Sequence, residues 1–255
     1  MGLLIRTRRR GTWVRGEVRA VLLDGFGTLL TLDAPAARLR SLLAQRLGVE
    51  VTEAQATEAL RAEVSYYRTH MHEGVDSERV ATLHAGCAAA LRAALPRSSQ
   101  LDAAAPDSVT AILLDALEFR AYPEVAAALA RLRDAGLRLV VASNWDASLD
   151  SVLDRVGLLS AVDGAVNSAT VGAAKPDPRL LERALLLAGV EAGVAVHVGD
   201  GFREDVGAAF AAGVRPVLIA RDGRAGEVEY GPEEPTLPEL AVIRTLAGLP
   251  ELLGA

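Results

Sequence analysis

Four short apolar runs, each halted by a polar or glycine-bearing turn, constrain this chain more than any other feature of its sequence. Val18 to Leu23 ends in Asp24-Gly25-Phe26-Gly27-Thr28, and Leu137 to Ala142 ends in Ser143-Asn144. Val194 to Val198 ends in Gly199-Asp200, and Arg215 to Ala220 ends in Arg221-Asp222-Gly223. A short run that is apolar at odd and even positions alike has both faces covered, which predicts strands of a parallel sheet. Helical periodicity over 124–135, 147–156, 178–187 and 204–212 fills the intervals between the later runs. The alternation predicts an α/β fold: a Rossmann-like, mainly parallel sheet with helices on both faces. Ligands of such sheets collect at the carboxyl ends of the strands. The polar turn residues all fall there.

Residues 32–119 follow a different rule. Their periodicity is helical, over Ala34 to Leu47, Thr52 to His70, Asp76 to Leu95 and Asp107 to Phe119, with Pro96 to Pro106 read as a loop. Thr52 with Gln55 has the form of a capping box. The segment reads as an inserted α-helical cap between the first strand and the rest of the sheet, placed to move over the strand ends as a lid. The organisation expected is therefore a core from 18–31 and 120–255, a helical cap from 32–119, and a basic tail over 1–17, poorly ordered. The acidic, Pro-bearing stretch Glu227 to Pro238 precedes a last strand or helix within Leu237 to Leu253.

Charge and cysteine content limit the function classes. A net charge of −6 argues against nucleic acid or an anionic membrane as general partners. No apolar stretch approaches the roughly 20 residues needed to cross a bilayer, and the arginine-rich start lacks the apolar run of a signal peptide. Cys87 is the one cysteine, so no internal disulfide forms and a cytoplasmic address is the simplest.

Chemistry concentrates at the strand ends. Asp24 is a candidate nucleophile, a carboxylate on a glycine-bearing turn whose backbone amides can hold oxygens; capping of that turn is its alternative role. Thr28 is placed to hold the loop or the substrate's anion. Ser143 and Asn144 offer a hydroxyl and amides to the same point. Lys175, in Ala174-Lys175-Pro176-Asp177-Pro178, is the one lysine among 27 cationic side chains. It presents a compact charge on a slim stem where an arginine fork would not fit. Asp200 and Asp205 supply oxygen ligands of the kind a hard ion such as Mg²⁺ takes.

The order of these elements resembles the haloacid dehalogenase-like hydrolase superfamily from about Val18 to Gly223. Its four motifs match as Asp24-Gly25-Phe26-Gly27-Thr28, Ser143-Asn144, Lys175-Pro176-Asp177, and Gly199-Asp200 with Asp205. The resemblance implies attack of Asp24 on phosphorus to give an aspartyl-phosphate. It implies Mg²⁺ held by Asp24, the Phe26 carbonyl and Asp200, with Asp205 orienting the lysine or waters on the metal. Ser143 and Lys175 would then neutralise the transferring group, and the substrate would be a small phosphorylated molecule.

One position departs from that pattern. The superfamily's phosphatases carry a second Asp two residues after the nucleophile, as acid and base, and this chain has Phe26. General acid–base help is worth roughly 10²–10⁴-fold in rate, so an enzyme without it favours good leaving groups. Two other readings accompany the phosphohydrolase: a binding or regulatory protein that has lost turnover, and a 2-haloacid dehalogenase, which also lacks the second Asp. The acidic fourth motif argues against dehalogenation. The absence of lysine from the cap argues against Schiff-base phosphonate chemistry. Tyr66, Tyr67, His70 and His72 form the most polar-aromatic part of the cap, with His70 or His72 a candidate replacement acid. Trp145 is expected at the pocket wall, Asp146 as a helix cap, and Arg68 and Arg79 as solvated charge.

Overall fold

The computed structural model describes residues 18–221 and 240–255. The basic tail over 1–17 and the acidic stretch over 227–238 lie outside them. Six strands form one sheet: β1 (Ala20–Leu23), β4 (Arg138–Ser143), β5 (Gly164–Asn167), β6 (Ala195–Gly199), β7 (Arg215–Ile219) and β8 (Ala241–Ile243). Their spatial order is β5-β4-β1-β6-β7-β8, and every pairing is parallel. β1 is central, between β4 and β6, where the order of strands reverses direction along the chain. Such a reversal opens a crevice at the carboxyl end.

Why the runs are apolar throughout is visible in β1. Val21 and Leu23 pack into one cluster with helices α6 (Val125–Asp134), α7 (Leu149–Arg155) and α11 (Gly248–Leu253). Ala20 and Leu22 pack into the opposite cluster with α9 (Arg179–Ala188) and α10 (Gly207–Ala211). All four side chains have no exposure. At about 25 cal/mol per Å² of apolar surface, such two-faced burial fixes the strand firmly, and with it the turn that follows.

The helical insertion has a core of its own. Helices α1 (Pro35–Leu47), α2 (Glu53–His70), α3 (Ser77–Ala94), α4 (Ser99–Ala103) and α5 (Pro106–Ala116) enclose Leu39, Leu43, Leu91, Leu101, Ile112 and their neighbours. The capping box of α2 forms: Thr52 Oγ1 accepts from the Gln55 amide and Gln55 Oε1 from the Thr52 amide. The stretch read as a loop from Pro96 to Pro106 contains the short helix α4, which Ser98 caps and Leu101 anchors. An antiparallel ribbon of β2 (Leu30–Leu32) and β3 (Phe119–Ala121) joins the insertion to the sheet. Local periodicity predicts helix as far as Phe119, and pairing across the ribbon outweighs it. Among the described residues, no helix is long and apolar enough to cross a membrane.

Candidate functional site

Asp24 leaves β1 with its amide donating to the Val198 carbonyl of β6 at 2.9 Å. The turn then closes on itself. The Leu29 and Leu30 amides donate to the Gly25 carbonyl at 2.8 and 2.9 Å, and the Gly27 amide donates to the Leu30 carbonyl at 2.8 Å. Gly27 has φ +85°, and a Cβ there would lie 2.2 Å from Asp200 Oδ2. Only glycine permits both that backbone conformation and that approach. The turn thus presses the backbone beside Asp24 against Asp200.

Ser143, the last residue of β4, donates its hydroxyl to Asp24 Oδ1 at 3.0 Å. Lys175 Nζ donates to the same oxygen at 2.6 Å, to Asp205 Oδ1 at 2.6 Å and to the Ala142 carbonyl at 2.9 Å. All three ammonium hydrogens are therefore directed. Asn144 does not face the opening freely. Its Oδ1 accepts from the Lys175 amide at 2.7 Å and its Nδ2 donates to the Lys175 carbonyl at 3.0 Å, a two-point clamp on the lysine backbone. Asp177 accepts from the Arg179 amide at 3.0 Å at the start of α9.

Asp205 sits in a π-helical turn over Phe202–Val206. Its Oδ1 meets Lys175 and also His197 Nε2 at 2.9 Å, while its Oδ2 accepts from the Gly201 amide at 2.8 Å. His197 Nδ1 lies 3.1 Å from the Leu22 carbonyl. Both ring nitrogens of His197 thus face oxygen atoms. Carboxylate oxygens of Asp24, Asp200 and Asp205 lie within 4.8 Å of one another.

The electrostatics follow from this crowding. Burial pushes the Asp24 carboxyl up, against the pull of the Lys175 cation. Burial also pushes Asp200 up to about 7, and the charges of Asp24 and Asp205 push in the same direction. Asp205 is the exception: burial opposes its ionisation, yet Lys175 and His197 hold it well below the ordinary carboxylate range. Lys175 is held above the usual lysine value despite burial, chiefly by Asp205 and then Asp24. One ammonium and one imidazole thus stabilise one carboxylate fully and leave two that resist ionisation. A divalent cation would supply the missing charge.

The remaining candidates are placed less centrally. Thr28 is completely buried, and its Oγ1 has no hydrogen-bond partner. Phe26 is 48% exposed and meets Phe119 edge-on at 6.4 Å; Phe119 in turn packs against Trp145 at 5.2 Å. Trp145 is buried and donates its indole N–H to Ser148. His70 stacks on Tyr66 at 4.3 Å and pairs with Glu73 at 2.9 Å, and His72 lies 4.0 Å from the same carboxylate.

Three residues have partners that the sequence did not signal. His197 lies within an apolar run, and only its face of the sheet reveals that it meets Asp205. Arg221 reaches back to the carbonyls of Gly27 and Thr28. Asp146, expected as a helix cap, does accept from the Ser148 amide at 2.7 Å, but its other oxygen accepts the Tyr67 hydroxyl of α2 at 3.1 Å. With the Ala147 amide donating to the Gly74 carbonyl at 2.8 Å, it ties the insertion to the sheet.

Residues 18–213 match the family model described as haloacid dehalogenase-like hydrolase. The human haloacid dehalogenase-like hydrolase domain-containing protein 3 is 30% identical over 89% of this chain and 92% of its own length. Several other curated relatives are matched over less than half their own length. One such shorter match is the phosphoserine phosphatase of Thermus thermophilus, 39% identical over 44% of this chain and 45% of that protein. Among solved structures, a 2-haloacid dehalogenase from Pseudomonas syringae superposes with a TM-score of 0.61. It is 27% identical, over 93% of this chain and 98% of that one. The chain belongs to the haloacid dehalogenase-like hydrolase family.

Proposed function

We propose that this family member is a Mg²⁺-dependent phosphohydrolase of a small phosphorylated metabolite, working through an aspartyl-phosphate on Asp24. The observation that carries the reading is the single buried Lys175 ammonium, bonded at 2.6 Å to both Asp24 and Asp205 while three carboxylates crowd within 4.8 Å. A phosphatase among the relatives supports it. The donor set fits Mg²⁺, since all candidate ligands are hard oxygens: Asp24, the Phe26 carbonyl and Asp200. Asp205 lies beside them but has both oxygens engaged, and it contributes through Lys175. Bound there, Mg²⁺ would supply positive charge to the phosphate oxygens and let Asp24 and Asp200 ionise together.

The chain's own residues then act in sequence. Lys175 and Ser143 hold Asp24 Oδ1, leaving Oδ2 to attack phosphorus; the bond to the leaving oxygen breaks as the Asp24–phosphorus bond forms. Asn144 fixes the lysine backbone, and His197 with the Gly201 amide fixes Asp205 behind the lysine. The Ser143 hydroxyl and Lys175 stand where the transferring group would carry its charge, which is stabilisation by position. Water then releases phosphate and restores the Asp24 carboxylate. Phe26 has no proton to give, so the leaving group departs as a weak base. Aryl and acyl phosphates meet that requirement better than phosphate esters of simple alcohols.

A second reading, 2-haloacid dehalogenation, is favoured by Phe26 and by the likeness to a dehalogenase structure. The surplus of buried carboxylates opposes it, since attack on carbon bearing a halide needs no metal site. Hydrolysis of 4-nitrophenyl phosphate and chloride release from 2-chloropropionate, each with and without Mg²⁺, separate the two. Metal-dependent phosphate release that vanishes in Asp24→Asn supports the proposal. Metal-independent chloride release with no phosphate release replaces it.

A further inference from the structure

We infer that Arg221 is a positioning residue of the nucleophile turn, holding the peptide that carries the Phe26 carbonyl in register with Asp24 and Asp200; this rests on the metal site proposed above. Arg221 follows β7, and all three of its guanidinium nitrogens are engaged. Nε donates to the Gly27 carbonyl at 3.1 Å, Nη2 to the Thr28 carbonyl at 2.7 Å and Nη1 to Glu124 Oε1 at 2.7 Å. Its guanidinium carbon stands 3.5 Å from the centre of the Tyr122 ring. The anchors are themselves tied down: Glu124 Oε1 also accepts from the Leu246 amide at 3.3 Å, and the Tyr122 amide donates to the Leu29 carbonyl at 3.1 Å.

Gly27 is therefore gripped from two sides. Asp200 crowds its Cα, as the 2.2 Å approach of a would-be Cβ demonstrates, and Arg221 holds its carbonyl. Fixing the Gly27 and Thr28 carbonyls fixes the two rigid peptide units that contain them, and the peptide before them is held at its own amide, which Gly27 donates to the Leu30 carbonyl at 2.8 Å. That preceding peptide presents the Phe26 carbonyl. A planar fork satisfies two carbonyls, a carboxylate and an aromatic face at once; a lysine ammonium at the same place lacks the span. Arg221 touches neither substrate nor metal, so its effect passes through the turn.

The test compares wild type, Arg221→Lys and Glu124→Gln as full-length proteins. Melting temperature is followed while MgCl₂ alone is titrated, so the readout is metal binding and needs no turnover. Outer-shell groups of metal sites typically change affinity by about 10–100-fold, and Arg221→Lys is expected to raise the half-saturating Mg²⁺ concentration within that range. Glu124→Gln, which removes the charge facing Nη1 and the Leu246 amide but leaves both carbonyl contacts of Arg221 in place, is expected to raise it less, and it carries the test should Arg221→Lys fail to fold. A merely structural arginine would lower the metal-free melting temperature and leave the Mg²⁺ midpoint unchanged. That result overturns the inference and leaves the proposed function intact. A wild type that shows no response to Mg²⁺ overturns both.

Discussion

Replacing Lys175 with Met removes the cation from a buried cluster and keeps a side chain of similar length. In the wild type, Nζ sits 2.6 Å from oxygens of both Asp24 and Asp205, with the lysine side chain 2% exposed. Two unit charges at that separation attract by about 6 kcal/mol at an effective dielectric of 20, but desolvation of the ions offsets most of it. The net loss when one partner of a buried pair is removed is about 3–5 kcal/mol, because the other is left uncompensated. For a chain of this size each 1 kcal/mol moves the melting temperature by about 2–4 °C, so a fall of about 6–20 °C is expected. The pH dependence follows from Asp205, whose carboxyl is held below its ordinary value in the folded state. Its stabilisation is complete above the unfolded value of 3.8 and lost as pH falls through the folded one. The gap between wild type and Lys175→Met is therefore widest near pH 7 and narrows toward acid. Scanning calorimetry at several pH values measures it, with Arg179→Met, at an exposed pair with Asp177, as a control that barely moves. A Lys175→Met protein melting within 2 °C of wild type at pH 7, roughly the span of a single surface change, would refute the electrostatic account.

Phe26→Asp supplies the absent acid at an exposed position, for the modest loss of an edge contact with Phe119. It should raise turnover of alkyl phosphates by about 10² or more while leaving aryl phosphates nearly unchanged; an unaltered aryl-to-alkyl ratio would remove Phe26 from the explanation. Tyr67→Phe deletes a hydroxyl that donates to Asp146 and accepts from its amide, and urea unfolding should register a loss of about 1–3 kcal/mol. A change under about 0.5 kcal/mol would show that this contact does not hold the insertion to the sheet. Glu63 is buried in the helical insertion, and burial raises its carboxyl despite a hydrogen bond with Cys87. A raised value favours the protonated form, so its contribution is full below the unfolded value of 4.5 and lost as pH rises through the folded one. Glu63→Gln should therefore melt higher than wild type at pH 8 and converge with it near pH 4, which thermal scans across that interval would disprove by showing parallel curves.

The strands that position the site were legible because burial on both faces leaves runs such as Ala20–Leu23 with no polar interruption. β5 was not, since Gly164-Ala165-Val166-Asn167 is short and partly exposed at the sheet edge. The ribbon of β2 and β3 was missed because its three-residue strands exist only through each other. At the candidate site, residue types and their order at successive strand ends single out Asp24, Ser143, Lys175 and Asp200, which the fold brings together. The sequence was silent about which partners those side chains choose. Asn144 spends both ends of its amide on the Lys175 backbone. Arg221 finds carbonyls more than 190 residues earlier in the chain. His197 looks like one more core residue until the register of β6 turns it toward Asp205. Such contacts are decided by tertiary placement, which local pattern does not encode.

Acid quenching of a single turnover, with wild-type protein, Mg²⁺ and an aryl phosphate, tests the central claim most directly. Peptide mapping by mass spectrometry should find phosphate esterified to the carboxyl of Asp24, absent without metal and absent in Asp24→Asn. Phosphate release without any adduct on the peptide bearing Asp24, or an adduct on another residue, would contradict the assignment of Asp24 as nucleophile.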